Sequence, residues 1–598
     1  MSMVPMENYR YDGKGLVTIR GGHDDLGKLL RDYCVEGVNG RFWTDKLLRH
    51  ILSQERIKAE LKRPEHGFDD PNVDKYVDII HPPEVDSSAD RTPPGAFLKV
   101  FALLVLLERC GDIRHFVNAV FDDQQLPIRI ENNAVYSLTG PSLPIACFEG
   151  WKTSEKEYFE SYQWRIDTPY FSSTVEEPLQ EHYLHKGVCK PWRRSRETPS
   201  ESCSDASYNA GAFGTVIQID IHPTSHSYQE LLTSINLDCT KFAIKTLHNT
   251  GHDDESKFQE ELKMLQRFNG LKHPHLVTAL CAFRCAEERS FIFPSAICDL
   301  SEYMEKNEPP RHSKATIWIS SQLLGLIGAL RAIHNPKHEE KGGGTGYGRH
   351  GDIKCDNILC FKNLGGEDEI VLVISDFGLS TFNSVKSRSN LPNHKVAPVP
   401  GYRPPECDIE GGTISRAFDI WTLGCLFLEL ITWFLGGPRY VEEFDQARTT
   451  MSINGANNNI FFSFKRRPDR KSYAVQVKAE VVEVSHFERM PQCRINIEKW
   501  IIKLHQHPDC SDFLHDALEI ISTEMIVIIA QGRNRSSSGK LLDAFQMLYS
   551  KCTKREGYVL SNPWIGETSE VAGTRIRRNN IAVDATPTQR TQALTGAL

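Results

Sequence analysis

The stretch RHGDIKCDNILCF, Arg349 to Phe361, followed by ISDFG at 374–378, constrains this chain more than any other part of it. Asp352 and Asn357 stand close together in a loop ahead of an apolar run, and Asp376 follows the strand-like IVLVI of 370–374. One carboxylate in such an arrangement can accept a proton from a hydroxyl, while the amide and the second carboxylate hold magnesium against phosphates. The pattern therefore suits a nucleotide-metal site.

Read as H-x-D-x-K-x-x-N followed by D-F-G, the residues His350, Asp352, Lys354, Asn357 and Asp376-Phe377-Gly378 resemble the catalytic signature of protein kinases. Further motifs come in the same order as in that family. NAGAFGTV of 209–216 resembles its phosphate-covering loop, FAIK of 242–245 the segment with its nucleotide lysine, and FQEELKML of 258–265 the helix whose glutamate pairs with that lysine. Downstream, YRPPE of 402–406 resembles the end of an activation segment, and FDIWTLGCLFLEL of 418–430 the buried helix beyond it. The resemblance implies an α+β, bilobal protein-kinase-like fold, with a small mixed β lobe and a large, mainly helical one. A mostly helical N-terminal domain precedes it.

The roles that the resemblance implies fall on particular residues. Gly211 and Gly214 let the chain approach phosphates, Phe213 closes the loop tip, and Val216 begins the strand beyond. Asn209 stands where the family has another glycine; asparagine tolerates unusual backbone angles better than most residues. Lys245 binds the first two phosphates and Glu261 orients it, with Glu260 as an adjacent alternative. Phe293, at the end of the strand-like SFIFP, lies at the back of the adenine pocket. Asp352 orients and deprotonates the incoming hydroxyl, Lys354 neutralises charge on the transferred group, and Asn357 with Asp376 binds magnesium. ATP and Mg2+ are thus the implied cofactors. His350 reads as a scaffold residue, Asp419 as a tie to the catalytic loop's backbone, and Glu406 as a partner for Arg535.

Lys354 beside Asp352 favours serine or threonine hydroxyls of a protein substrate. Two other readings stay open: His-Gly-Asp also resembles the catalytic loop of kinases acting on small hydroxyl compounds, and a catalytically silent kinase-like binding module would carry many of the same motifs. Gly351 also replaces the arginine with which many regulated kinases read a loop phosphate, so the hydroxyls of Thr381, Ser384, Ser387 and Ser389 are expected to matter little.

At 598 residues the chain exceeds what one core normally serves. The expected division is a helical extension at 1–195, a linker at 196–206, a catalytic domain at 207–556 and a disordered tail at 557–598. Net charge is -8 and the isoelectric point about 6.3, which argues against nucleic acid as partner. The sixteen cysteines form no clustered metal-ligand framework and the opening residues lack a signal pattern, so an intracellular setting, cytoplasmic or nuclear, is expected. The apolar windows 93–110 and 421–437 carry Lys99 and Glu429 and are expected as buried helices, not membrane spans.

Elsewhere, helical spacing marks 40–63, 96–109, 255–268, 316–334, 495–506, 511–530 and 539–550. The aromatics of WKTSEKEYFESYQW read as core. This first region resembles the helical extension of certain kinase-domain proteins of filamentous fungi, and an intramolecular contact with the catalytic domain is plausible for it. HPTSHSYQELLTSINLDCT, after the strand at 215–221, is expected as a solvated hairpin insertion, with a short helix in its Leu-Leu part as the alternative. Gly342–Gly344 reads as a flexible loop, and the basic run from Lys465 to Lys471 as solvated insertion or a peptide-docking surface.

Overall fold

A computed structural model describes residues 25–68, 70–82, 95–140, 143–173, 179–195, 209–211, 214–247, 254–269, 273–312, 314–335, 347–364, 370–376, 381–383, 391–392, 401–409, 411–451, 457–466, 473–477, 497–529, 534–564 and 583–585. The fold is bilobal and kinase-like, with a mixed sheet as its small lobe, a large helical region, and helices ahead of both. The chain forms two compact units, one of 1–231, 240–254 and 280–294, the other of 232–239, 255–279 and 295–598.

In the first unit, helix Leu98–Leu106 is apolar all round, as a helix enclosed by others must be, and Leu98 and Val100–Val105 are buried. Its one cation, Lys99, is neutralised where it lies: Nζ stands 2.9 Å from Asp167 and 3.3 Å from Asp45. Asp123 supplies the missing N-cap from outside the helix, accepting from the N–H groups of Lys99 and Val100. Helix Thr153–Ile166 places Phe159 against Phe116, Phe148 and Trp151, mostly edge to face, and Arg109 lies over the Trp151 ring at 4.3 Å. Of the aromatics expected as core, Trp151 and Phe159 are buried, Tyr162 and Trp164 are half-buried, and Tyr158 is exposed.

The small-lobe sheet is where the extension becomes part of the catalytic region. Its order runs from Glu181–Leu184 through Cys281–Cys285, Glu288–Pro294, Phe242–Leu247 and Gly214–Ile221 to Trp192–Arg194. The first strand pairs parallel with 281–285 and the last antiparallel with 214–221, so both edge strands come from the N-terminal region. They satisfy N–H and C=O groups that 281–285 and 214–221 would otherwise expose, and at four and three residues they are short enough to offer little template for further pairing. Trp192 is buried against Phe171 and Phe283, and Arg284 is ion-paired to Glu181. Thr44 Oγ1 and Thr224 Oγ1 are 2.7 Å apart, a buried hydrogen bond between the first helices and the segment after the glycine-loop strand.

That segment departs from the solvated insertion expected of it. Residues Tyr228–Ser234 form a helix in which Tyr228, Leu231 and Leu232 are buried, with Ile235 just beyond. Their spacing is a helical apolar stripe, and it outweighs the polar residues flanking it. Leu237–Asp238 then pairs with Ile358–Asn363 in the second unit.

Removing residues 1–195 is therefore expected to cost more than a regulatory appendage would. Stripped of both edge strands and of Trp192, the remaining chain should be recovered largely aggregated, which sedimentation and size-exclusion chromatography of 196–598 would reveal. A monodisperse, cooperatively melting 196–598 would show that the edge strands are dispensable.

The second unit is built around helices Ala315–His334 and Ala417–Arg448. Both are long and apolar enough to cross a membrane by length and composition, yet the apolar window of the second is wholly buried in the fold. The helical run breaks at Gly437, with φ +71, ahead of Pro438. Three indole N–H groups find acceptors: Trp318 on the Ile370 carbonyl, Trp433 on that of Asn307 and Trp500 on Thr432 Oγ1. Helices Ile497–His505, Asp512–Ile520 and Ser538–Lys554 complete this region. Strands Phe462–Arg466 and Tyr473–Val477 flank the middle of the basic run, and Val583–Ala585, in the stretch expected as a disordered tail, pairs with the second of them. Gly342–Gly344 lies outside the described residues.

Candidate active site

Strand Ile358–Asn363 pairs antiparallel with Ile370–Ile374, and Ile358 stands opposite Ile374. That register carries Asn357 and Ser375 side by side. Ser375 donates to the Asn357 carbonyl through its N–H at 2.9 Å and its hydroxyl at 3.0 Å, so the catalytic loop and the turn bearing Asp376 are held as one piece. Strand Ile370–Ile374 is buried throughout, which is what an unbroken IVLVI requires, and Ile358, Cys360 and Phe361 are buried beside it.

Asp352, Lys354 and Asn357 are in contact with one another. Asn357 Nδ2 donates to the Asp352 backbone oxygen at 2.7 Å and to Asp352 Oδ2 at 2.8 Å, which leaves Asn357 Oδ1 as the acceptor still to be used. Lys354 Nζ lies 3.6 Å from Asp352 Oδ2. Burial pushes the Asp352 carboxyl above its ordinary range; Lys354, the Asn357 hydrogen bond and His350 pull it back, and the Asp376 charge raises it. Asp376 has φ +60, a left-handed conformation that costs energy at any residue with a Cβ. Strain of that kind at a carboxylate beside a catalytic loop is characteristic of functional positions.

The loop's scaffold is a buried hydrogen-bond network centred on Asp419. Its carboxylate accepts from His350 N at 2.9 Å, Gly351 N at 2.8 Å and His334 Nε2 at 2.9 Å. Burial would raise the Asp419 pKa, but the His334 hydrogen bond and the neighbouring imidazoles and backbone N–H hold it below the ordinary range. His350 Nε2 donates to the Ser375 carbonyl, which can only accept, so its Nδ1 is left to accept the Asp352 N–H. Both ring nitrogens are thereby committed to the backbone, as a scaffold role requires.

Gly351 is more than an absent arginine. Its φ of +85 lies in the region that favours glycine, and its N–H is one of the three bonds to Asp419. Gly351→Arg is accordingly expected to destabilise the protein by about 1–2 kcal/mol, read as a lower urea midpoint at unchanged m-value. A guanidinium does stand beside the loop, however: Arg349 is buried, lies over the Phe418 ring at 5.8 Å, and pairs through its backbone with Thr381. Ser384, Ser387 and Ser389 fall outside the described residues.

Glu406 and Arg535 form the expected pair. Two parallel hydrogen bonds, 2.5 Å from Nη1 and 2.9 Å from Nη2, join them, while Arg535 Nε and Nη1 also donate to the carbonyls of Val527 and Ala417. A second buried network went unread in the sequence. Glu429 accepts from Tyr402 and Arg448, with the Cys355 thiol 3.4 Å away, beneath the catalytic loop. Its one visible signal is an acid in an otherwise apolar helix. His334, also unread, had none.

In the sheet, Lys245 pairs with Val216 on one side and Phe291 on the other, and Ala243 pairs with Phe293. Directly paired residues share a face, and so do residues two apart, so Val216, Lys245 and Phe293 lie on one face of the sheet. Asn209 and Gly211 pair with Val216 and Gly214 in a tight hairpin. A Cβ on Gly214 would meet the Thr246 carbonyl oxygen at 2.6 Å, so that strand pairing requires glycine there. Phe213 lies outside the described residues. Glu261 is half-buried on helix Asp254–Asn269, whose Phe258, Leu262 and Leu265 are buried.

The fold and the Asp352 loop define the class: the chain carries a eukaryotic-type protein kinase domain behind a helical N-terminal extension. Comparison with known proteins agrees, since residues 231–518 match the protein kinase domain family. The chain is 28% identical over 193 residues to cyclin-dependent kinase 2 of Caenorhabditis elegans, a match covering 32% of this chain and 47% of that protein. It is 27% identical over 189 residues to human cyclin-dependent kinase 14, covering 32% of this chain and 36% of that relative. The similarity thus spans less than half the length of either relative.

Proposed function

We propose that this protein is an ATP-dependent protein kinase that transfers the γ-phosphoryl group to serine or threonine hydroxyls of a protein substrate. The observation that carries the reading is the joining of Asp352, Lys354 and Asn357 into one hydrogen-bonded group, with the Asp376 charge felt at Asp352. The donor set fits magnesium, a hard cation that takes carboxylate and amide oxygens. Asn357 has Oδ1 to offer and Asp376 a carboxylate. When bound, ATP supplies the phosphoryl group and magnesium the neutralising charge.

The chain's own residues would do the rest. Asp352 orients the substrate hydroxyl and takes its proton, its raised pKa bringing it closer to a working base. Lys354 stands by to offset charge on the group being transferred. By the same resemblance Lys245 is the residue for the first two phosphates with Glu261 its assigned partner, Asn209, Gly211, Phe213, Gly214 and Val216 are those of the phosphate-covering loop, and Phe293 is the residue behind the adenine. An intracellular setting, cytoplasmic or nuclear, follows from this reading.

Radiolabelled ATP offered with a peptide array and a panel of small alcohols tests it. Labelling of peptide serines and threonines is the expected result. Labelling confined to choline-like or sugar-like compounds would make this a small-molecule kinase, and nucleotide binding without transfer would make it a silent module. For regulation, we expect the rate to change little when Thr381, Ser384, Ser387 and Ser389 are replaced by alanine. A large loss would instead point to Arg349 as the group that reads a loop phosphate.

A further inference from the structure

We propose that His505, Cys510 and His515 form a zinc site that ties residues 561–564 to the end of the large helical region. The three come from separate pieces of chain. His505 ends helix Ile497–His505, Cys510 lies in the following turn, and His515 sits on helix Asp512–Ile520, which Ser511 caps. All three are buried, and their ligand atoms lie within 4.8 Å of one another.

The hydrogen bonding decides which atoms face inward. His515 Nε2 is 2.8 Å from the Asn562 carbonyl oxygen, which can only accept, so Nε2 carries the proton and Nδ1 presents its lone pair. A ligating histidine is fixed in this way, by a carbonyl on its far nitrogen. Toward the His515 lone pair face His505 Nδ1 at 2.6 Å, which without metal donates a hydrogen bond to it, and Cys510 Sγ at 3.7 Å. Two nitrogens at tetrahedral angles on one zinc stand about 3.3 Å apart, so zinc would displace the proton shared by the two imidazoles and turn their rings apart while leaving the sulfur separation nearly as it is. Two imidazoles and a thiolate suit zinc better than magnesium or calcium, which prefer oxygen. With three protein ligands, water completes the tetrahedron.

The surroundings shield the three groups. The Trp564 indole stacks on His505 at 3.9 Å between ring centroids and lies nearly parallel to His515 at 5.0 Å, covering one face of both. Backbone bonds run from Trp564 N to the His505 carbonyl and from Asn562 N to that of Cys510. The segment that shields the three groups is thus anchored to two of them and to the ring of the third. Among the described residues one other cluster, Glu60, His66 and Cys110, has comparable spacing, but its carboxylate is already paired with Arg63 and hydrogen-bonded to His66.

The full chain, prepared without a histidine tag and dialysed exhaustively, should retain about one zinc per molecule by elemental analysis. Replacing zinc with cobalt should give a thiolate-to-cobalt charge-transfer band. Cys510→Ser, nearly isosteric, should abolish that band and lose the tightly held zinc, and His515→Ala should also lose the metal. Chelation should lower the melting temperature of the wild-type chain but not of Cys510→Ser. A chain that holds no zinc, gives no cobalt band and melts identically with and without added zinc overturns the proposal. So does metal that survives Cys510→Ser and is lost in Cys110→Ser.

Discussion

Asp352→Asn is expected to lower the turnover of phosphoryl transfer by about 10²–10⁴-fold, the range for loss of a positioned general base, with the melting temperature and nucleotide affinity close to wild type. The substitution keeps the shape of the side chain and removes its charge. Burial already disfavours the ionised carboxyl, so a neutral amide is tolerated where it stands. The Asn357 amide can still donate to the backbone oxygen of residue 352 at 2.7 Å and to the new amide oxygen in place of Oδ2. The loss should therefore fall on the chemical step, in kcat more than in KM for ATP. Steady-state kinetics beside a thermal melt would check it; a variant with wild-type turnover would remove Asp352 from the role of base.

The second large effect concerns stability. Arg535→Met leaves the Glu406 carboxylate buried without its two guanidinium bonds, and also frees the carbonyls of Val527 and Ala417. Breaking one side of a buried pair costs about 3–5 kcal/mol, a large share of a typical domain's stability. Adding Glu406→Gln should recover part of the loss, because an uncharged amide is easier to bury than an orphaned carboxylate. Urea unfolding of the two single variants and the double variant measures the coupling. If Arg535→Met costs less than 1 kcal/mol, the pair is behaving as an exposed one and this view of how the activation segment's end is anchored is wrong.

Both predictions rest on residues that could be read before any coordinates, and the reason is chemical. A group that must hold a metal, take a proton or fork onto a carboxylate has few substitutes, so Asp352, Asn357, Asp376 and Arg535 stand out by type and order. The long helices were legible for a different reason: 316–334 and 96–109 repeat their apolar residues over several turns. What escaped was short or non-local. Glu181–Leu184 and Trp192–Arg194 are too brief to display an alternation, and nothing local says that they become the two edges of a sheet formed far along the chain. The Tyr228–Ser234 helix shows in the sequence only as an alternative in the Leu-Leu part, because its polar flanks favour a solvated insertion. His334 and Glu429 act through partners 85 and 27 residues away, respectively, which no spacing reveals. Asn209, Phe213, Glu261 and Phe293 remain assignments by resemblance to the kinase motifs.

The central claim is that the Asp352 loop and Asp376 work together with magnesium to phosphorylate a protein hydroxyl. Single-turnover transfer from radiolabelled ATP to a serine- and threonine-containing peptide pool, run for the full chain and for Asp376→Ala with magnesium and with excess EDTA, tests it most directly. Acid-stable phosphoserine or phosphothreonine is expected from the wild-type chain only when magnesium is present, and none above background from Asp376→Ala. Label transferred equally well by Asp376→Ala, or by the wild type in EDTA, would contradict it.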